Sequence, residues 1–128
     1  MNPTRISTYW QAAGWLGVGL IITLSLTPAP PQINIENGDK LGHLVAYGLV
    51  TLWFAQYYTG LRQRIWLAVG MVALGIALEY AQGATGYRMF DVADMIVDAA
   101  GVAIGWLAAP PRLPNLLSWV EKRITRIS

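Results

Sequence analysis

The chain has 128 residues, 55% of them hydrophobic and 12% charged, with a net charge of +2 and no cysteine. This length allows one domain, the positive mean hydropathy points to a membrane protein, and the lack of cysteine excludes disulfides, thiolate metal sites and cysteine nucleophiles. No run of Lys and Arg interleaves with aromatic residues, so the sequence offers no groove for nucleic acid.

Four windows carry the roughly 17 to 25 mostly apolar residues that a membrane-crossing helix needs. They are about 9–27, 41–59, 65–83 and 92–109. The first and third have almost no polar face, which a helix in water would require. The first also has features of a secretory signal: Arg5 precedes the apolar run, and the small residues Thr27 and Ala29 lie near a notional cut. Pro30 would follow that cut directly and the run exceeds the usual h-region of about 7 to 15 residues, so it reads as a retained helix.

Pro28, Pro30 and Pro31 stiffen the loop that follows, and Asn37, Gly38 and Asp39 make a turn with Asp39 as candidate N-cap of the second helix. The short segment Gly60 to Arg64 makes helices 2 and 3 antiparallel neighbours. Gly83 and Gly86, with Tyr87, Arg88 and Met89, turn the chain into helix 4. Pro110, Pro111 and Pro114 end that helix. Leu116, Leu117, Val120, Ile124 and Ile127 then recur at near-helical spacing, with Glu121, Lys122, Arg123 and Arg126 on other faces. The expected fold is therefore all-α: a single domain over 1–128, a four-transmembrane-helix bundle with a short basic amphipathic helix at about 115–127. That helix should lie on the inner leaflet with its cations at anionic headgroups, which makes membrane lipids its expected partners.

With four crossings both termini lie on one side. Arg5, Arg62, Arg64, Arg112, Lys122, Arg123 and Arg126 fall on that side, and only Lys40 and Arg88 on the other. The positive-inside rule puts the termini in the cytoplasm. Acids divide the opposite way, with Glu36, Asp39, Glu79, Asp91, Asp94 and Asp98 outward and Glu121 inward. Tyr9, Trp10, Tyr57, Tyr58, Trp66 and Trp106 gather near the inner interface, where amphipathic rings are favoured.

Eight residues, Asp39, Lys40, His43, Glu79, Arg88, Asp91, Asp94 and Asp98, form one outer polar group. Charge in or beside hydrocarbon costs several kcal/mol on most scales and is seldom kept unless it faces a shared interior. At about 100° per residue, Asp91, Asp94, Asp98, Gly101 and Gly105 form one stripe, whose glycines have the spacing that lets membrane helices pack closely. Lys40, His43 and Tyr47 form a row on helix 2, and Glu79 and Gln82 share a face of helix 3 with Gly75 one turn deeper. Three helices thus present polar faces at one depth.

Two cations cannot neutralise the outer acids, and the excess negative charge suits a metal ion, shared protons, or hydrogen bonding to a sugar or other polyol. Each residue taken singly could instead be structural, a buried ion pair or a bonded core histidine. Calcium or magnesium at Asp91, Asp94 and Asp98 lacks a recognised loop, and zinc would have His43 with carboxylates only, so no metal site is assigned. His43, with Asp39 or Glu79 as partner, could act as a general base while Lys40 and Arg88 stabilise negative charge. Candidate catalytic residues are His43, Glu79 and Asp94. Candidate ligand-binding residues are Asp39, Lys40, Tyr47, Gln82, Arg88, Asp91 and Asp98. No hydrolase or P-loop motif occurs, so no named reaction and no cofactor follows.

The run DKLGHLVAYGLV (Asp39 to Val50), then EYAQ (Glu79 to Gln82) and RMFDVADMIVDAAGVAIG (Arg88 to Gly105) resembles the VanZ-like membrane proteins, named for a teicoplanin-resistance protein. By this resemblance Asp39, Lys40, His43 and Tyr47 fill an Asp-Lys-x-x-His-x-x-x-Tyr pattern, Glu79 and Gln82 a Glu-x-x-Gln pattern, and Arg88, Asp91, Asp94, Gly101 and Gly105 the last block. Asp98 departs from it, since that position is commonly Asn. The resemblance implies a small bacterial integral membrane protein, linked in one branch to low-level glycopeptide resistance; it supplies no reaction. The expected role is an outward-facing pocket that binds or processes an envelope precursor or lipid-linked headgroup. A membrane hydrolase or transferase and a non-enzymatic assembly factor are the alternatives.

Overall fold

The computed structural model of the chain describes residues 2–27, 38–86 and 90–127. Pro28, Ala29, Pro30, Pro31, Glu36, Asn37, Tyr87, Arg88 and Met89 lie outside the described residues. The fold is all-helical, with five helices among the described residues.

Helix α1 (Pro3–Leu26) starts before the apolar window does, because Asn2 caps it by accepting the Arg5 N–H at 2.9 Å and Pro3 opens its first turn. Helix α2 (Gly38–Tyr57) already includes Gly38. Asp39 therefore sits in its first turn and is not its N-cap, where its charge still complements the helix dipole. Helix α3 (Leu61–Ala84) contains both Arg62 and Arg64, which the sequence assigned to a loop. Hydropathy marks where a helix meets charge, whereas backbone hydrogen bonding continues through the arginines. Helix α4 (Val92–Ala108) is capped by Asp91, whose carboxylate accepts the Ala93 N–H at 2.9 Å. Helix α5 (Leu116–Ile127) follows the Pro110–Pro114 break, and Asn115 accepts the Ser118 N–H at 2.9 Å at its start.

Long-range bonds fix the helices as an up-and-down set. At one end Lys40 of α2 reaches Asp94 of α4; at the other, Arg64 of α3 bonds Ala55 at the end of α2 and Pro110 after α4. Helix α1 is pinned to α2 by a parallel stack of Trp10 on Trp53, ring centroids 3.7 Å apart, in which each indole N–H donates to the other residue's carbonyl. Gln82 pins it to α3 by donating to the Ser25 carbonyl at 2.9 Å.

The closest approach is between α2 and α4. A Cβ on Gly101 would lie 2.5 Å from the Leu44 carbonyl oxygen, and one on Gly105 would run into the Gly48 carbonyl. The two glycines therefore let backbone pack on backbone. Side chains of Ile21, Tyr47, Met71, Leu78 and Val102, from all four long helices, form the main core beneath the polar end.

Helices α1 and α3, over Thr4–Leu26 and Leu61–Ala84, are long and apolar enough to cross a membrane. Helix α4 has 17 residues and includes Asp94 and Asp98, and α2 opens with Asp39, Lys40 and His43. The apolar stripe of α5 is partly turned to the bundle: Leu117, Val120 and Ile124 pack with Ile6, Trp10 and Trp53, while Leu116 and Trp119 are exposed, with Arg123 lying 5.0 Å over the Trp119 ring.

Candidate ligand-binding site

Three helix ends meet at the polar end: the start of α2, the end of α3 and the capped start of α4. Each brings its polar groups in because its other faces are apolar and the α2–α4 glycine contact fixes the register. Lys40 Nζ lies 3.1 Å from Asp91 Oδ2 and 3.0 Å from Asp94 Oδ1, and 3.8 Å from the exposed Asp39 carboxylate. One ammonium thus occupies the space between two carboxylates that the spacing suggested for a divalent cation. Among the described residues no group of three or more His, Asp or Glu side chains is placed to hold a metal ion.

His43 Nδ1 stands 2.7 Å from Asp98 Oδ1, so its partner is neither Asp39 nor Glu79, the two that sequence spacing offered. With Asp98 ionised, its carboxylate can only accept, and Nδ1 carries the proton of this bond. Nε2 then remains as the nitrogen able to exchange a proton, and it has no partner among the described residues. Asp98 in turn packs on Gly75 of α3, where a Cβ would come within 3.0 Å of its Oδ2. A larger residue at 75 would push the carboxylate off the imidazole.

Glu79 is 1% exposed, and its Oε1 accepts the Asp91 backbone N–H at 2.6 Å. It joins α3 to the turn before α4. Tyr47 is buried directly below, its ring near-parallel to His43 with centroids 6.5 Å apart. Among the described residues Gln82 makes no side-chain hydrogen bond to this cluster; its amide donates to the Ser25 carbonyl of α1. Arg88 lies outside the described residues.

Asp91, at the rim, is held below the usual carboxylate range, first by the Lys40 ammonium and then by the Ala93 N–H that it caps. Among the described residues Lys40, Asp91 and Asp94 group one ammonium with two carboxylates, and Glu79 and Asp98 are almost fully buried, with the His43 imidazole bonded to Asp98. The arrangement can donate through Lys40 and accept through several carboxylate oxygens. It also presents an imidazole oriented by a carboxylate, the geometry of a general base.

Residues that the sequence did not single out organise the other end. Arg64 donates to the carbonyls of Tyr58, Ala55 and Pro110 at 2.9, 3.0 and 2.5 Å, and Trp106 donates to the Arg64 carbonyl at 2.9 Å. Gln56 accepts the Leu116 N–H at 2.6 Å, and Asn115 donates to the Gln56 carbonyl at 3.2 Å, which ties α5 to α2. The prolines after α4 were a partial signal, since a helix end followed by prolines leaves carbonyls that need donors from elsewhere.

The fold and site define an all-helical protein with candidate membrane-spanning helices and a charged interior at one end. The VanZ/LLP1 family model matches residues 4–116, and the chain belongs to that family. No curated protein and no solved structure matches it.

Proposed function

We propose that α1 to α4 all cross the bacterial cytoplasmic membrane as one VanZ-like membrane domain, with both termini in the cytoplasm. In this reading the polar cluster of α2, α3 and α4 binds the headgroup of an envelope precursor or other lipid-linked polyol on the outer side. The observation that carries this reading is the inverted placement of charge. Outward faces hold Leu49, Ile96, Ile104 and Leu107, each at least half exposed, on the very helices whose inward faces hold His43, Asp94 and Asp98. A bundle in water has the reverse arrangement. The polarity of the chain supports the orientation, since the basic residues cluster at the end opposite the site.

A hydroxyl-rich headgroup suits the cluster because carboxylate acceptors outnumber cations, whereas a simple anion would meet repulsion. A second reading, a hydrolase or transferase, is favoured by one specific contact, the His43–Asp98 pair at 2.7 Å. It differs from the binding reading in requiring turnover. A role in glycopeptide susceptibility is part of the first reading, through the precursor bound.

Two experiments test these readings. Because the chain has no cysteine, single cysteines at Thr85 and Lys122 can be labelled in intact cells with an impermeant maleimide. Labelling of Thr85→Cys alone is expected, and labelling of Lys122→Cys from outside overturns the orientation. Purified protein is then screened against lipid-linked envelope precursors. Binding that His43→Ala and Asp94→Asn both abolish supports the pocket, precursor turnover lost in His43→Ala supports the enzyme, and neither outcome leaves the cluster as a structural lock.

A further inference from the structure

Helix α5 divides its surface three ways. Counted from Leu116 at about 100° per residue, Val120, Ile124 and Leu117 fall between about 40 and 100°, and these are the side chains that pack with Ile6, Trp10 and Trp53. Glu121, Thr125 and Ser118 follow at about 140 to 200°. Lys122, Trp119, Arg123 and Leu116 complete the circle, from about 240 to 360°. The first sector belongs to the bundle, and the second carries the acid and the hydroxyls. The third is left uncovered: Leu116 and Trp119 are 54% and 55% exposed, and Lys122 and Arg123 are exposed beside them.

The composition of this third sector is specific. A leucine and an indole stand beside two cations, and Arg123 lies 5.0 Å over the Trp119 ring, which holds its charge at the indole face. Glu121, the only acid of α5, is at least about 100° round the helix from either cation. Leucine and tryptophan favour the boundary between acyl chains and headgroups, whereas lysine and arginine favour phosphate. A leaflet that carries anionic lipid meets both demands at once. The depth agrees, because Ile6 and Trp10 lie in the first turns of α1, which puts α5 at the end of the apolar span Thr4–Leu26 and not halfway along it.

We propose that the Leu116–Trp119–Arg123 face of α5 docks on anionic lipid in the leaflet at the termini, with Leu116 and Trp119 at the acyl boundary and Lys122 and Arg123 on phosphates. The lipid contact thereby passes from the stripe of Leu117, Val120 and Ile124, which covers the bundle, to a face about 100° away. This inference rests on the reading that α1 crosses the bilayer. Maleimide labelling in cells tests that crossing and its direction, whereas a bilayer of one composition in both leaflets reads the docking whichever way the chain is inserted, so the two fail separately.

The test uses the full chain, which has no cysteine of its own, reconstituted in phosphatidylcholine vesicles. Leu116→Cys, Ser118→Cys and Thr125→Cys each carry a small fluorophore. A minor share of the lipid is replaced by phosphatidylglycerol or phosphatidylcholine that bears a nitroxide quencher beside its headgroup. The reporter at Leu116→Cys should be quenched roughly threefold more than those at Ser118→Cys and Thr125→Cys. Nitroxide phosphatidylglycerol should quench it roughly threefold more than the same amount of nitroxide phosphatidylcholine, since each cation near an anionic surface favours contact by about fivefold. Lys122→Gln with Arg123→Gln should abolish that preference and keep the quenching by phosphatidylcholine, because Trp119 stays in place. Equal quenching at all three positions overturns the docking face. Equal quenching by the two lipids, or a preference that the double variant keeps, overturns the anionic partner. A Leu116→Cys reporter shielded from both lipids means that a second copy or another protein covers the face, and also overturns the proposal. Should the double variant not fold, the comparison of the two lipids in the Leu116→Cys chain decides by itself.

Discussion

The two ends of the bundle are both stitched by buried or half-buried polar side chains, but the stitches differ in kind. At the Arg64 end, guanidinium, amide and indole groups bond mostly to main-chain carbonyls left over where α2 and α4 finish. At the Lys40 end, side chains bond mostly to one another, and among the described residues Glu79 and Asp98 are buried carboxylates beside one ammonium and one imidazole. The first pattern is what closing helix ends demands. The second keeps titratable groups in a place where apolar residues would pack more cheaply, and the proposed ligand site rests on that contrast.

Substitutions that break the Arg64 end should have the largest effect on stability and none that is specific to a ligand. Arg64→Ala strands three carbonyls and is expected to destabilise by about 3 kcal/mol, with Arg64→Lys recovering only part, since a lysine cannot span all three. Gly105→Leu should cost about as much by prising α4 from the Gly48 carbonyl. Thermal unfolding in detergent checks both, and a melting temperature unchanged in Arg64→Ala would remove the contrast between the ends.

The Asp98 pair sharpens the comparison. Asp98→Ala leaves the imidazole N–H unpaired beside a cavity and should cost roughly 2 to 3 kcal/mol. Asp98→Asn retains an acceptor for Nδ1–H and should stay within about 1 kcal/mol of the parent. If the pair is only architecture, the amide variant should keep every function. If His43 works as a base, the amide should keep the fold and lower turnover, a split that a structural role does not produce. Lys40→Met comes next, at about 1 to 3 kcal/mol, because it leaves the buried Asp94 carboxylate without its cation. Double substitution with Asp94→Leu should recover most of that loss.

What could be read in the sequence follows the same division. Helical registers alone place Asp94, Asp98, Gly101 and Gly105 on one stripe, and the close α2–α4 packing at the two glycines is the structural counterpart. Partner choice was not legible: spacing offered Asp39 and Glu79 to His43, and the α2–α4 packing gives it Asp98. Arg64 was misplaced for another reason. Hydropathy closes a window at an arginine, and nothing in a single sequence says which distant carbonyls a guanidinium will reach. For α5 the periodicity revealed an apolar stripe but not what it covers, which proved to be Ile6, Trp10 and Trp53.

The smallest expected effect lies at the rim of the site, where Asp91 belongs partly to each kind of stitch. Its carboxylate caps α4 through the Ala93 N–H, as architecture, and pairs with Lys40, as part of the polar cluster. Both contacts favour the ionised form and hold the group below its ordinary range. A depressed carboxylate contributes stability that is fully present above its unfolded value, about 3.9, and disappears as pH falls through the lower folded value. The stability gap between the parent and Asp91→Asn should therefore be constant near neutrality and shrink on acidification. Other carboxylates titrate in the same range, so the informative quantity is that difference, read from melting temperatures between about pH 6 and 3. Repeating the series in a Lys40→Met background separates the two contacts: a gap that still shrinks belongs to the cap, and one that has vanished belongs to the ion pair. A gap that ignores pH in both backgrounds would show that Asp91 acts through neither charge.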